Sequence, residues 1–199
     1  MIFEKLFAEQ FYNEDNGIST RSPEMVKPIH SQIAKIVEEN SNYTTKSLIN
    51  GEYTFEGSYG SKKVDIAIFD GKELIGVINF KGIRSEYNKN ANNYYENMKG
   101  ESDLFVEANI PIFQIIFIPT KVKHKNSKGK IVFEEPSQRS KDNYKNFIFK
   151  KPKYWNLLTF IPYYFEVDYE NYIAKYCEDN YSNNLTADII NFIGGLKND

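Results

Sequence analysis

Three residues of this chain have the types and spacing to act together on a phosphodiester. Asp65 lies in the run Val64-Asp65-Ile66-Ala67-Ile68-Phe69, and Asn79 and Lys81 close the run Leu74–Lys81. Both runs read as strands, and Asp70-Gly71 between them is a tight hairpin signal. Positions 79 and 81 differ by two, so on a strand they share a face. A hairpin brings that face beside Asp65. Cutting a phosphodiester needs a divalent metal, an activated water and neutralisation of charge on the phosphate. Mg²⁺ is satisfied by a few carboxylates with water and phosphate oxygens. In that chemistry Asp65 is a metal ligand, and Lys81 orients the water or stabilises charge. Each residue also has a plainer reading, Asp65 as a turn acid and Lys81 as a solvated strand-end lysine.

The elements that must position these residues are read from periodicity and punctuation. Ile2, Phe3, Leu6, Phe7 and Phe11 are at helical spacing. Ser22-Pro23 is an N-cap and N1 pair that opens a helix to about Asn40, with Pro28 as a kink or the true start. Residues 43–49 read as a strand or an irregular link, and Tyr53–Phe55 as a short strand. Leu74–Phe80 is nearly continuous in apolar residues, as expected in the middle of a mixed sheet. Asn88–Met98 reads as a polar helix. Ile110–Ile118 is a third apolar strand, stopped at Pro119. A strand-helix-strand unit makes a right-handed crossover if its strands are parallel neighbours. Tyr163–Val167 is a last strand, and 169–178 and 185–193 read as closing helices. The expected fold class is α/β (α+β): a central mixed β-sheet flanked by helices. One domain spans 1–199, with a core at about 22–119 and closing helices at 168–196.

The acid, the short hairpin and the Asn79-Phe80-Lys81 triplet before a helix resemble the PD-(D/E)XK nuclease superfamily, and within it the type II restriction endonucleases. Asp65 matches the first acid, and Asn79-Phe80-Lys81 stands at the acid-x-Lys position. Glu24, just after Ser22-Pro23, matches a glutamate often found in the first helix. The resemblance covers roughly Ser22–Pro119. It implies Mg²⁺-dependent, sequence-specific hydrolysis of double-stranded DNA by a homodimer. The departure is Asn79, an amide where the family has an acid. Three explanations stand open. The acid has migrated to the following helix, with Glu96 as the candidate ligand and Glu86 behind it. Alternatively, an acid was changed by engineering, or the chain is a catalytically silent DNA-binding relative. A phage-defence nuclease acting on other nucleic acid, including RNA, is a further alternative.

From Lys121 to Lys153 the chain is rich in lysine. Lys123, Lys125, Lys128 and Arg139 there, with Lys62, Lys63, Arg84 and Lys89 around the hairpin, are candidate DNA contacts. Asn126, Ser127, Gln138 and Asn143 are candidates for base edges, interleaved with Tyr144, Phe147, Tyr154 and Trp155. The same stretch also reads as a solvated loop. Glu56 reads as a surface acid, His30 as packing, His124 as exposed, and Cys177 as a buried helix residue. The net charge of -2 does not itself imply a polyanion partner. A lone cysteine excludes a disulfide framework and a cysteine zinc site. No run is long enough to span a membrane, and the start lacks a signal-peptide pattern. The expectation is a cytoplasmic protein.

Overall fold

The structure is a computed structural model that describes residues 2–20, 22–58, 60–84, 86–138, 141, 157–178 and 182–196. Helix α1 (Ile2–Asp15) buries Phe3, Phe7 and Phe11. Helix α2 (Pro23–Glu39) starts where the cap signal places it, and Ser22 Oγ accepts the Glu24 N–H at 3.3 Å. Pro28 is accommodated inside α2 without ending it. Strands β1 (Thr44–Ser47) and β2 (Tyr53–Gly57) follow.

The expected single strand over 64–69 is divided. β3 (Gly60–Val64) pairs with β2 in a separate two-stranded sheet, while β4 (Ile66–Asp70) enters the main sheet. Asp65 is the residue between them. β4 turns at Gly71, which has a φ of +59°, into β5 (Glu73–Gly82). Glycine adopts that left-handed conformation without steric penalty.

Helix α3 (Tyr87–Glu107) continues well past the expected end at Met98. It returns the chain to β6 (Ile112–Pro119), buried along its whole length and parallel to β5. β7 (Val122–Lys125) and β8 (Ile131–Glu134) make a small hairpin in the basic stretch. β9 (Leu158–Asp168) runs parallel to β6. The expected helix over 169–178 is instead a turn and a strand, β10 (Ile173–Tyr176), antiparallel to β9. Asp168 Oδ1 accepts the N–H groups of Glu170 and Asn171, which fixes the turn. The tyrosine spacing there imitates a helical period. Cys177 is accordingly half-buried after a strand, not within a helix. Helix α4 (Leu185–Gly195) closes the described chain.

The main sheet has six strands in the order β1-β4-β5-β6-β9-β10. One face packs on α1, α2 and α4 through Phe7, Ile33, Ile68, Phe80, Phe117 and Ile189. The other packs on α3 through Val77, Met98, Phe105, Ile112 and Ile116. The expected mixed sheet flanked by helices is present. Among the described residues no helix is long and apolar enough to cross a membrane.

Candidate active site

The site forms where β4 leaves β5. Their pairing at that end stops at Ile66↔Ile78, while β5 stays paired with β6 up to Gly82↔Phe117. The Phe80 N–H beyond the last β4 pair has lost its strand partner. Asp65 Oδ2 accepts it instead at 2.8 Å. The carboxylate of Asp65 is thereby fixed at the fork, beside the stretch of β5 that carries Asn79 and Lys81. The hairpin reading of the sequence brings the three residues to one region, and the structure does so.

Helix α3 adds a residue that the sequence reading missed. Glu101 Oε1 lies 2.6 Å from Lys62 Nζ and 3.3 Å from Lys81 Nζ, and Asn79 Nδ2 donates to Glu101 Oε2 at 3.4 Å. The Glu101 side chain is 12% exposed. Glu96, the expected migrated acid, is exposed. At about 100° per residue it lies roughly 140° around the helix from Glu101. Glu86 is at the N-cap of α3, paired with Lys89. Glu101 escaped notice because the expected helix ended at Met98. The available signal was the apolar spacing from Met98 to Phe105, which carries the helix through Gly100.

Burial acts on both acids but with different results. Enclosure raises the pKa of Asp65, and His30, the Phe80 N–H and Lys81 only partly offset it. Enclosure would also raise Glu101, but Lys81 and Lys62 outweigh it and hold Glu101 below the ordinary glutamate value. His30, on α2, is buried edge-on to the Phe80 ring at 6.1 Å, as its packing role requires. Burial lowers its pKa despite the nearby Asp65 charge.

Asn79 is 2% exposed, and its Oδ1 has no hydrogen-bond partner among the described residues. Gln114, its register neighbour on β6, is fully buried. Asp65, Glu101 and Asn79 Oδ1 are oxygen donors of the type Mg²⁺ prefers, although the Asn79 amide here turns its nitrogen to Glu101 and Glu101 Oε1 is held by Lys62 and Lys81. Among the described residues no group of three His, Cys, Asp or Glu side chains converges. Mg²⁺ does not require one, since it keeps waters and is completed by substrate phosphates.

No family model, curated protein or solved structure matches this chain.

Apart from Lys62, the other expected site residues are dispersed. Glu24 is exposed in the first turn of α2, where its charge favours the helix N-terminus. Lys62 is drawn into the Glu101 pair. Lys63 pairs with Glu52 at 2.6 Å. Arg84 Nη2 donates to Thr20 O at 2.6 Å, which ties its guanidinium to the loop after α1. Lys123 is ion-paired with Asp15 and lies 5.8 Å from the Tyr169 ring centroid. Arg84 and Lys123 are therefore structural ties rather than open phosphate contacts. Lys89, Lys125 and Lys128 are exposed. Asn126 Oδ1 accepts the N–H groups of Lys128 and Lys130, so it shapes the hairpin turn. His124 is half-buried near Glu134, not exposed. Arg139, Asn143, Tyr144, Phe147, Tyr154 and Trp155 lie outside the described residues.

Proposed function

We propose that this chain is a restriction endonuclease-like nuclease that hydrolyses phosphodiesters of double-stranded DNA with Mg²⁺. The observation that carries the reading is the position of Glu101. It supplies a carboxylate from the following helix where the strand carries only Asn79, and it lies beside the lysine that the chemistry requires. This favours the migrated-acid explanation over an engineered or silent Asn79.

Asp65 and Glu101, with Asn79 Oδ1, are the residues that would hold the metal. Bound Mg²⁺ would supply an activated water and neutralise charge on the phosphate. Lys81, held by Glu101, orients the attacking water and offsets charge as it builds on the phosphate. The water releases a proton to solvent as its oxygen bonds to phosphorus, the bond from phosphorus to the leaving sugar oxygen breaks, and that oxygen takes up a proton from solvent. Phe80 N–H keeps the Asp65 carboxylate aimed at the fork. Exposed lysines of the β7–β8 hairpin are available for the DNA backbone. Cutting both strands of a palindromic site calls for a two-fold dimer, which is the assembly we propose.

The test is a substrate panel of unmethylated duplex DNA, single-stranded DNA and RNA, with Mg²⁺ and with chelator. Cleavage of duplex DNA in Mg²⁺ alone, absent from Asp65→Ala, is the expected result. Cleavage of RNA alone would move the assignment to the other nucleic acid. Tight DNA binding with no cleavage in any divalent ion would replace it with the silent binding protein.

A further inference from the structure

Strand β6 reads Ile-Phe-Gln-Ile-Ile-Phe-Ile-Pro and is buried at every position. Gln114 is the one polar side chain in it. Placing a side-chain amide there is unfavourable unless its groups are bonded, and Gln114 Oε1 has no partner among the described residues. Its Nε2 points to α3, 3.4 Å from Met98 O and 3.4 Å from Ser102 Oγ. Ser102 Oγ in turn donates to Met98 O at 2.8 Å. Ser102 is fully buried and directly follows Glu101. Two polar contacts from one amide thus tie a single turn of α3, residues 98–102, to the centre of the sheet.

Helix α3 buries Tyr87, Ala91, Met98, Ser102 and Phe105, and Tyr94, Tyr95 and Val106 pack partly buried against the same core. Apolar packing alone is non-directional, whereas a buried polar contact is a known means of fixing register. A slip of one residue would turn Glu101 by about 100°, away from Asn79, Lys62 and Lys81.

We propose that Gln114 and Ser102 are positioning residues that lock the rotation of α3 and so hold Glu101 over the Asp65–Asn79–Lys81 site. The role in catalysis rests on the nuclease reading above; the role in placing Glu101 does not.

The test uses the metal-free protein first. The Lys62 ammonium touches Glu101 and is remote in sequence from Gln114 and Ser102. Its side-chain ¹⁵N signal is therefore a reporter of Glu101 placement. Glu101→Gln gives the reference for a lost pair. Gln114→Met, close in volume, and the smaller change Ser102→Ala should each move the Lys62 signal toward that reference while the folded amide spectrum persists. An unchanged Lys62 signal in both variants would overturn the lock. The second measurement is binding of Mn²⁺ alone by calorimetry. Each variant should bind at least about tenfold more weakly than the parent, and Gln114→Met should add no loss to Glu101→Gln. Additive losses would mean general damage rather than positioning. A Lys62 response in the variants, with no Mn²⁺ bound by the parent, would uphold the lock and leave the nuclease reading to the cleavage panel, since substrate phosphates complete the Mg²⁺ site.

Discussion

Asp65 and Glu101 are both enclosed, yet their carboxyls are pushed in opposite directions, because only Glu101 has two lysines against it. Opposite pH dependences follow. Asp65 holds its proton more tightly folded than unfolded, so stability falls as pH rises through the interval between its two pKa values. Asp65→Asn keeps an oxygen for Phe80 N–H and removes that penalty. It is expected to stabilise the protein at pH 7, with no gain below the ordinary aspartate range. Glu101 is depressed, so its contribution is complete above the unfolded glutamate pKa and is lost as pH falls through the lower folded value. Glu101→Gln is expected to destabilise by about 1–3 kcal/mol at pH 7 and by progressively less in acid. Urea unfolding of the three proteins between pH 3 and pH 7 checks both signs. At this scale the sequence showed Asp65, Asn79 and Lys81, because their spacing on a hairpin is a local property. It did not show Glu101 or Gln114, because a glutamate on a polar helix and a glutamine in an apolar strand acquire meaning only when the two elements meet.

Among the elements, those with strong local signals were readable: the Ser22 cap of α2, the Asp70-Gly71 turn and the apolar run of β6. The errors arose where tertiary contacts overrode local pattern. Gly100 is tolerated inside α3, at a cost of roughly 1 kcal/mol relative to alanine, because Met98 and Phe105 on either side are buried in the sheet. β10 forms because β9 offers it a free edge. The start of α3 is another such case. Glu86 provides no side-chain cap, and β8 supplies one from outside: the Asn88 N–H donates to Glu134 Oε1 at 3.3 Å. Asn88 also donates from Nδ2 to Glu135 O at 2.9 Å and accepts the Ser137 N–H at 2.8 Å. Asn88→Ala is expected to lower stability by about 1–2 kcal/mol and to loosen the β7–β8 hairpin from α3. Thermal unfolding measures the first effect, and faster proteolysis within residues 122–138 the second.

Across the whole molecule the net charge is close to zero, so any attraction to DNA must come from the distribution of charge. The β7–β8 hairpin exposes Lys125, Lys128 and Lys130, whereas Lys123 is neutralised by Asp15. Alanine at Lys125, Lys128 or Lys130 is expected to weaken DNA binding without sequence preference and to reduce the salt dependence by about one unit of slope each. Lys123→Ala is expected to act mainly on stability, through its contacts with Asp15 and Tyr169. Binding titrations from 50 to 200 mM salt separate the two behaviours. The overall architecture was readable from the alternation of apolar strands with helices. The assignment of individual lysines was not, since whether a lysine is free or paired depends on partners as distant in the chain as Asp15 is from Lys123.

The most direct measurement is Mg²⁺-dependent cleavage of unmethylated duplex DNA by the parent chain beside Glu101→Gln and Glu96→Gln. If Glu101 is the carboxylate that completes the site, the parent and Glu96→Gln give the same discrete fragments. Glu101→Gln is then slower by on the order of 10²-fold or more. Undiminished cleavage by Glu101→Gln, or loss of cleavage in Glu96→Gln alone, would contradict the account.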